Sequence, residues 1–238
     1  MKKLYTLLLI SLVWNLSAQT IFVERTFNVG SQDWNSFLEL HDSFYGDVDF
    51  KSGGLVIDWI RIGEGDYTIR TVRYGDMNNW GMTEERPEYE GPNFWSRRNQ
   101  YINDFGPSYA GKSLYRQGDG SKHNTQQRWY MKISDPQKFF IAFQEFLKAN
   151  KKAFGDRWIS LVQYTVGGPD GATHSVGMSA ESWVEMEQTR DAIFKNKKTV
   201  SDFFTNRGPV EEISNVMHRR MRHYNNTRNE NKSFGDMW

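Results

Sequence analysis

Apolar positions recur along this chain with two different periods. Residues 55–62 (LVIDWIRI) and 67–74 (YTIRTVRY) are rich in β-branched and aromatic side chains and flank the turn Gly63-Glu64-Gly65-Asp66. Residues 158–166 and 172–178 repeat the arrangement around Gly167-Gly168-Pro169-Asp170-Gly171. Such runs joined by a Gly/Asp turn predict two β-hairpins. Ahead of each lies a further strand-like run, residues 20–27 (TIFVERTF) and residues 126–133 (QQRWYMKI). Between that run and its hairpin the period lengthens. Trp34, Phe37, Leu38, His41 and Phe44 in one place, and Phe139, Phe140, Phe143, Phe146, Leu147 and Asn150 in the other, fall on single helical faces. Asp135-Pro136 marks the start of the second of these helices, an Asp cap followed by Pro in the first turn.

A second helix is expected after each hairpin. Ser179-Ala180-Glu181 would cap one carrying Trp183, Met186, Glu187, Arg190, Ile193 and Phe194, and Phe94, Arg98, Tyr101, Ile102 and Phe105 would form its displaced counterpart. Residues 113–117 are a candidate closing strand. The pattern is therefore strand, helix, strand, strand, helix, short strand, written twice. The fold class expected is α+β: two tandem ferredoxin-like β-α-β-β-α-β repeats with antiparallel sheets, forming an intramolecular α/β barrel. The organisation expected is a first repeat over residues 19–117, a linker over 118–125 in which His123 lies, a second repeat over 126–224, and a flexible tail over 225–238. Ile213, Val216, Met217, Arg220 or Met221, and Tyr224 stand at helical spacing and predict a basic C-terminal helix within the second repeat.

The first residues alter the compartment. Lys2 and Lys3 precede an apolar stretch over residues 4–16, and Ser17-Ala18 offers small residues for cleavage, so residues 1–18 read as a signal peptide. Export, periplasmic or extracellular, follows as an expectation. Removing Lys2 and Lys3 takes the 30 basic residues to 28 against 29 acidic ones, a near-neutral chain with no electrostatic case for a nucleic-acid partner. No integral membrane segment is expected in the mature chain. With no Cys there is neither a disulfide framework nor a thiol nucleophile, so core burial must hold the fold. The 16 Phe, 11 Tyr and 9 Trp supply the material for that core.

The chemical motifs are sparse. Neither GEGDY nor GGPDG leads into a helix or a Gly-Lys-Ser/Thr, so both are read as turns rather than phosphate loops. There is no G-x-S-x-G elbow, no HExxH and no Cys/His cluster. No metal site and no cofactor are expected. Of the five histidines, His41 lies inside an apolar helical stripe and His174 on a hairpin strand beside Gln163 and Tyr164. Polar groups interleaved with aromatics on strands, Asp58, Trp59, Arg61, Arg70 and Arg73, then Tyr164 and His174, either face solvent or line a polar pocket.

The run THSVGMSAESWVEME (residues 173–187) resembles the third strand and second helix of the dimeric α/β-barrel superfamily, the antibiotic-biosynthesis-monooxygenase and NIPSNAP-like proteins. Residues 126–197 follow that pattern best and 20–117 more loosely, so the resemblance implies one chain supplying both halves of a barrel. It implies a range of activities: cofactor-free oxygenases, haem-degrading enzymes, decarboxylase-like proteins and plain binders. The His and Asn used by haem-degrading members do not carry over, because the second helix ends in Ile193, Phe194, Lys195 and Asn196, and residues 126–133 hold no Asn. The favoured reading is an exported protein that binds a small molecule in a barrel or sheet–helix pocket, with Trp59, Arg70, Tyr164, His174 and His41 as ligand contacts. The alternatives are a cofactor-independent oxygenase or isomerase with His174 or His41 as base, and an envelope interaction module working through the basic C-terminal helix. An oligomer is compatible with each.

Overall fold

A computed structural model describes residues 19–63, 67–120 and 122–225. The expected signal peptide, residues 64–66 of the first hairpin turn and tail residues 226–238 lie outside the described residues. The elements in chain order are β1 (Thr20–Val29), α1 (Trp34–Tyr45), β2 (Gly54–Ile62), β3 (Ile69–Asp76), α2 (Glu90–Asn99) and β4 (Ile102–Gln117). The second set is β5 (Thr125–Ile133), α3 (Pro136–Ala149), α4 (Lys151–Phe154), β6 (Ile159–Val166), β7 (His174–Ala180), α5 (Trp183–Phe194), α6 (Lys197–Asn206) and β8 (Val210–Asn225). All eight strands close into one barrel, ordered β1-β3-β2-β8-β5-β7-β6-β4, with every neighbouring pair antiparallel.

Each repeat contributes four strands in ferredoxin-like order, β4-β1-β3-β2 and β8-β5-β7-β6. The repeats meet along two seams, β2 with β8 (Leu55 opposite Tyr224) and β4 with β6 (Gly111 opposite Tyr164). Closure removes the exposed edges on which sheets otherwise aggregate. The helices cover the outer faces, so both faces of every strand are occupied. Phe27, Phe37, Leu38, Phe50, Ile57 and Ile69 form the sheet–helix layer of the first repeat. Phe139, Phe143, Leu147, Ile159, Met178 and Met186 form that of the second. Phe22, Val56, Val72, Tyr130, Tyr164 and Val216 fill the barrel interior. Asp135 accepts a hydrogen bond from the Lys138 amide (3.0 Å) ahead of Pro136, capping α3.

Four expectations are corrected. The basic C-terminal helix is strand β8, and the ladder irregularity between Ile57 and Asp58 explains the misleading spacing: their partners are Arg222 and Arg220, so Met221 is an extra residue. That bulge separates the lumen-lining Arg220 and His223 by three positions, and Met221 and Tyr224 on the helix side likewise, which mimics a helical period. The docking alternative therefore loses its helix. The helix expected to run through Phe105 stops at Asn99, because β4 begins at Ile102 and passes through Gly106-Pro107, an unusual pair inside a strand. Gly106 is needed there: a Cβ would lie 2.1 Å from Thr26 Oγ1. The cap of α5 is Ser182, accepting from the Glu185 amide (3.2 Å), while Ser179 is buried on β7. His123, placed by composition in a linker, is buried with Nδ1 3.4 Å from Ser179 Oγ.

Candidate functional site

The sheet–helix layers of the two repeats are packed differently. In the first, His41, Phe44 and Tyr45 of α1 close against Phe94 of α2, with ring centroids 4.2–5.4 Å apart. In the second, a cavity of about 590 Å³ remains between the sheet and α3, α5 and α6, within the size range of small-molecule sites. Its floor is the outward face of the strands, including Trp129, Met131, Val176 and Met178. Its walls are Phe139, Phe143 and Phe146 of α3 and Ile193 and Phe194 of α5.

The roof is α6, an extra helix with no counterpart in the first repeat. Asn196 caps it, accepting from the Thr199 amide (3.4 Å). Val200, Phe203 and Phe204 reach the cavity, and the Phe203 ring sits 4.7 Å from Phe146 and 5.8 Å from Phe139. Yet no residue of α6 is fully buried, and Phe194 and Phe204 at the rim are about half exposed. A helix held over a cavity by a few aromatic contacts belongs to the low-stability end of a fold. The polar groups lie at the margin. The Arg207 guanidinium is 4.3 Å from the Phe204 ring and 3.8 Å from Glu212, and Asn215 accepts from Gln127 Nε2 (3.2 Å).

The five residues nominated as ligand contacts occupy four places. Arg70 and Tyr164 share the barrel interior. Arg70 is 1 % exposed, its Nε 3.3 Å from Glu24 Oε1 and its Nη1 3.1 Å from His218 Nδ1. Tyr164 is buried with its ring 5.7 Å from Phe22 and its hydroxyl 3.5 Å from Ser175 Oγ, and burial together with Glu24 raises its pKa well above the ordinary tyrosine value. Trp59 lies on the helix side, 5.1 Å from Trp34 with the Arg61 guanidinium 5.0 Å from its ring. His41 is sealed between α1 and α2, its Nδ1 2.7 Å from the Phe37 carbonyl and its ring 4.3 Å from Phe37. His174 is on the outward face of β7, the same side as Val176 and Met178. Its Nδ1 is 2.8 Å from Thr173 Oγ1, and its buried Nε2 has no hydrogen-bond partner among the described residues. Burial lowers its pKa.

Sequence reasoning missed α6, although Asn196 followed by Val200, Phe203, Phe204 and Arg207 is a capped helical stripe. It also missed Arg128 and Arg220, whose strands carry no clean alternation, and Trp158 just ahead of β6. Among the described residues no group of three or more His, Cys, Asp or Glu could hold a metal ion, and no helix is long and apolar enough to cross a membrane.

Comparison with solved structures defines the class of fold. A candidate monooxygenase from Fusobacterium nucleatum matches with a TM-score of 0.58 at 14 % identity, covering 89 % of this chain and 96 % of that one. A candidate monooxygenase from Lactobacillus acidophilus matches at 0.53 and 10 % identity, covering 87 % and 96 %. An anthrone oxidase-like protein matches at 0.51 and 10 % identity, covering 92 % and 97 %. The chain thus shares the fold of these proteins, here two ferredoxin-like halves closed into one barrel within a single polypeptide. No family model and no curated relative matches the sequence.

Proposed function

We propose that this is an exported protein that binds an apolar, ring-bearing small molecule between the second sheet and its helices. The observation that carries the reading is the aromatic-walled cavity of about 590 Å³ roofed by α6. Aromatic walls offer large contact area at low side-chain entropy cost, and the polar rim at Arg207 and Glu212 would orient one substituent. Export rests on Lys2, Lys3 and the apolar stretch behind them. The test is titration with the neutral dye Nile red. Val176→Trp, which fills the floor of the cavity, is expected to weaken dye binding at least tenfold with an unchanged circular dichroism spectrum. Equal binding by the variant would overturn the reading.

A catalytic version is favoured by one observation, the unpartnered Nε2 of His174. A histidine kept neutral by burial, with one nitrogen free, is suited to accept a proton. If the protein is a cofactor-independent oxygenase or isomerase, His174→Ala should abolish turnover of an oxidisable quinol-type substrate at least a hundredfold while Nile red still binds. Turnover equal to the parent protein would remove His174 as the base.

A further inference from the structure

The barrel interior holds a second, separate cavity of about 100 Å³, lined by Phe22, Val56, Val72, Val162 and Trp158 among apolar groups. The charged residues that line it or stand directly behind its lining do not balance. Asp58 is fully buried and engages Arg220, Nε to Oδ1 2.6 Å, with Arg70 Nη2 3.9 Å from its other oxygen. Glu24 sits 3.3 Å from Arg70. Arg128 also lines the cavity and is only 8 % exposed, yet it makes no ion pair or hydrogen bond with any described residue. The Trp158 ring lies 5.3 Å from its guanidinium carbon, and the carboxylate whose field reaches it, Glu24, is already engaged by Arg70. Nearby, the buried Ser160 hydroxyl also lacks a partner and faces the same space. His218 and His223, which border this region, are held neutral by burial first and then by Arg70 or Arg220. Leaving aside the exposed Arg116 at the mouth, the ionised groups are therefore the buried cations Arg70 and Arg128 and the nearly buried Arg220 against the buried anions Glu24 and Asp58.

An arginine does not shed its proton near neutrality, and an uncompensated charge in the interior is strongly disfavoured. We infer that the barrel lumen is a binding site for a small carboxylate, taken by the Arg128 guanidinium with Ser160 as a second donor. One carboxylate makes the buried charges three against three. The planar fork of arginine matches a carboxylate through two parallel hydrogen bonds. The apolar lining favours an anion with a short hydrocarbon body over an inorganic ion that keeps its hydration. The volume, about three times water's share of the liquid, restricts that body to a few carbons. Arg116, exposed where the cavity opens, would draw the anion inward.

This site is independent of the sheet–helix cavity and can fail without it. The test follows thermal unfolding and calorimetric binding of the whole protein with acetate, propionate and butyrate, beside butyramide, phosphate and sulfate. Butyrate is expected to bind and to raise Tm in a concentration-dependent way, and butyramide to do neither. Arg128→Met should weaken butyrate at least a hundredfold, whereas Arg207→Met at the other cavity should leave it unchanged. Should Arg128→Met fail to fold, Ser160→Ala should still weaken butyrate severalfold, and a ¹³C-labelled carboxylate resonance should shift on binding to the parent protein. Phosphate or sulfate binding as tightly as butyrate would overturn the carboxylate assignment. Equal response to butyrate and butyramide, no response to either, or undiminished binding by Arg128→Met would overturn the site.

Discussion

His41 shows how a single buried side chain can set the pH range of the fold. It is enclosed by Phe37, Tyr45 and Phe94, and burial, with the Arg98 guanidinium adding to it, lowers its pKa from 6.5 to about 4. The unfolded chain takes up a proton near pH 6.5, and the folded chain refuses it until about pH 4. Stability is therefore highest above the unfolded value and falls as pH drops through that window. The difference corresponds to roughly 3 kcal/mol for this one residue, an order-of-magnitude figure. His223, lowered to about 3 by burial and Arg220, acts in the same direction. His41→Phe, which suits the aromatic site, should flatten the pH dependence of urea unfolding between pH 6.5 and 4 by about one proton. An unchanged slope would show that His41 is not the group responsible.

At the scale of elements, what was legible follows from how each strand and helix is covered. The two hairpins and helices α1, α3 and α5 announce themselves because dense β-branched and aromatic runs alternate with clear helical stripes and Asp or Ser caps. β8 does not, because the extra Met221 replaces a two-residue period with a three-residue one. β4 is hidden by Gly106-Pro107, which sequence reasoning treats as a break. The faces of the strands are harder still. A barrel strand carries helices on one side and lumen on the other, so both sides are buried and no polar–apolar alternation distinguishes them. This is why Trp59, Arg70, Tyr164 and His174 could be nominated together although only Arg70 and Tyr164 share a space. It is also why Arg128, flanked by the partly buried Trp129 and the buried Gln127, gave no sign that it borders a cavity.

At the scale of the whole molecule, the two repeats have diverged into complementary halves. Ile69 opens β3 opposite Phe27, and His174 opens β7 opposite Met131, so Glu24 and Arg128, three residues before those partners, occupy equivalent positions. An acid in one half thus corresponds to a base in the other. Asp58 of the first half likewise depends on Arg220 of the second, and Arg70 on His218. A symmetric dimer of the first repeat would place Glu24 with Glu24 and leave Asp58 and Arg70 without those partners, while one of the second would bring Arg128 to Arg128. Like charges buried without relief oppose assembly by several kcal/mol, and each half alone would expose the strand edges of both seams. Expressed separately, fragments 19–120 and 122–225 are expected to be poorly folded or aggregated at micromolar concentration. Mixed and refolded together, they should recover the circular dichroism of the intact chain as a one-to-one complex by size-exclusion chromatography with light scattering. A stable, folded homodimer of either fragment would contradict this account, because the charge pattern of the lumen would then not be what commits the two repeats to one another.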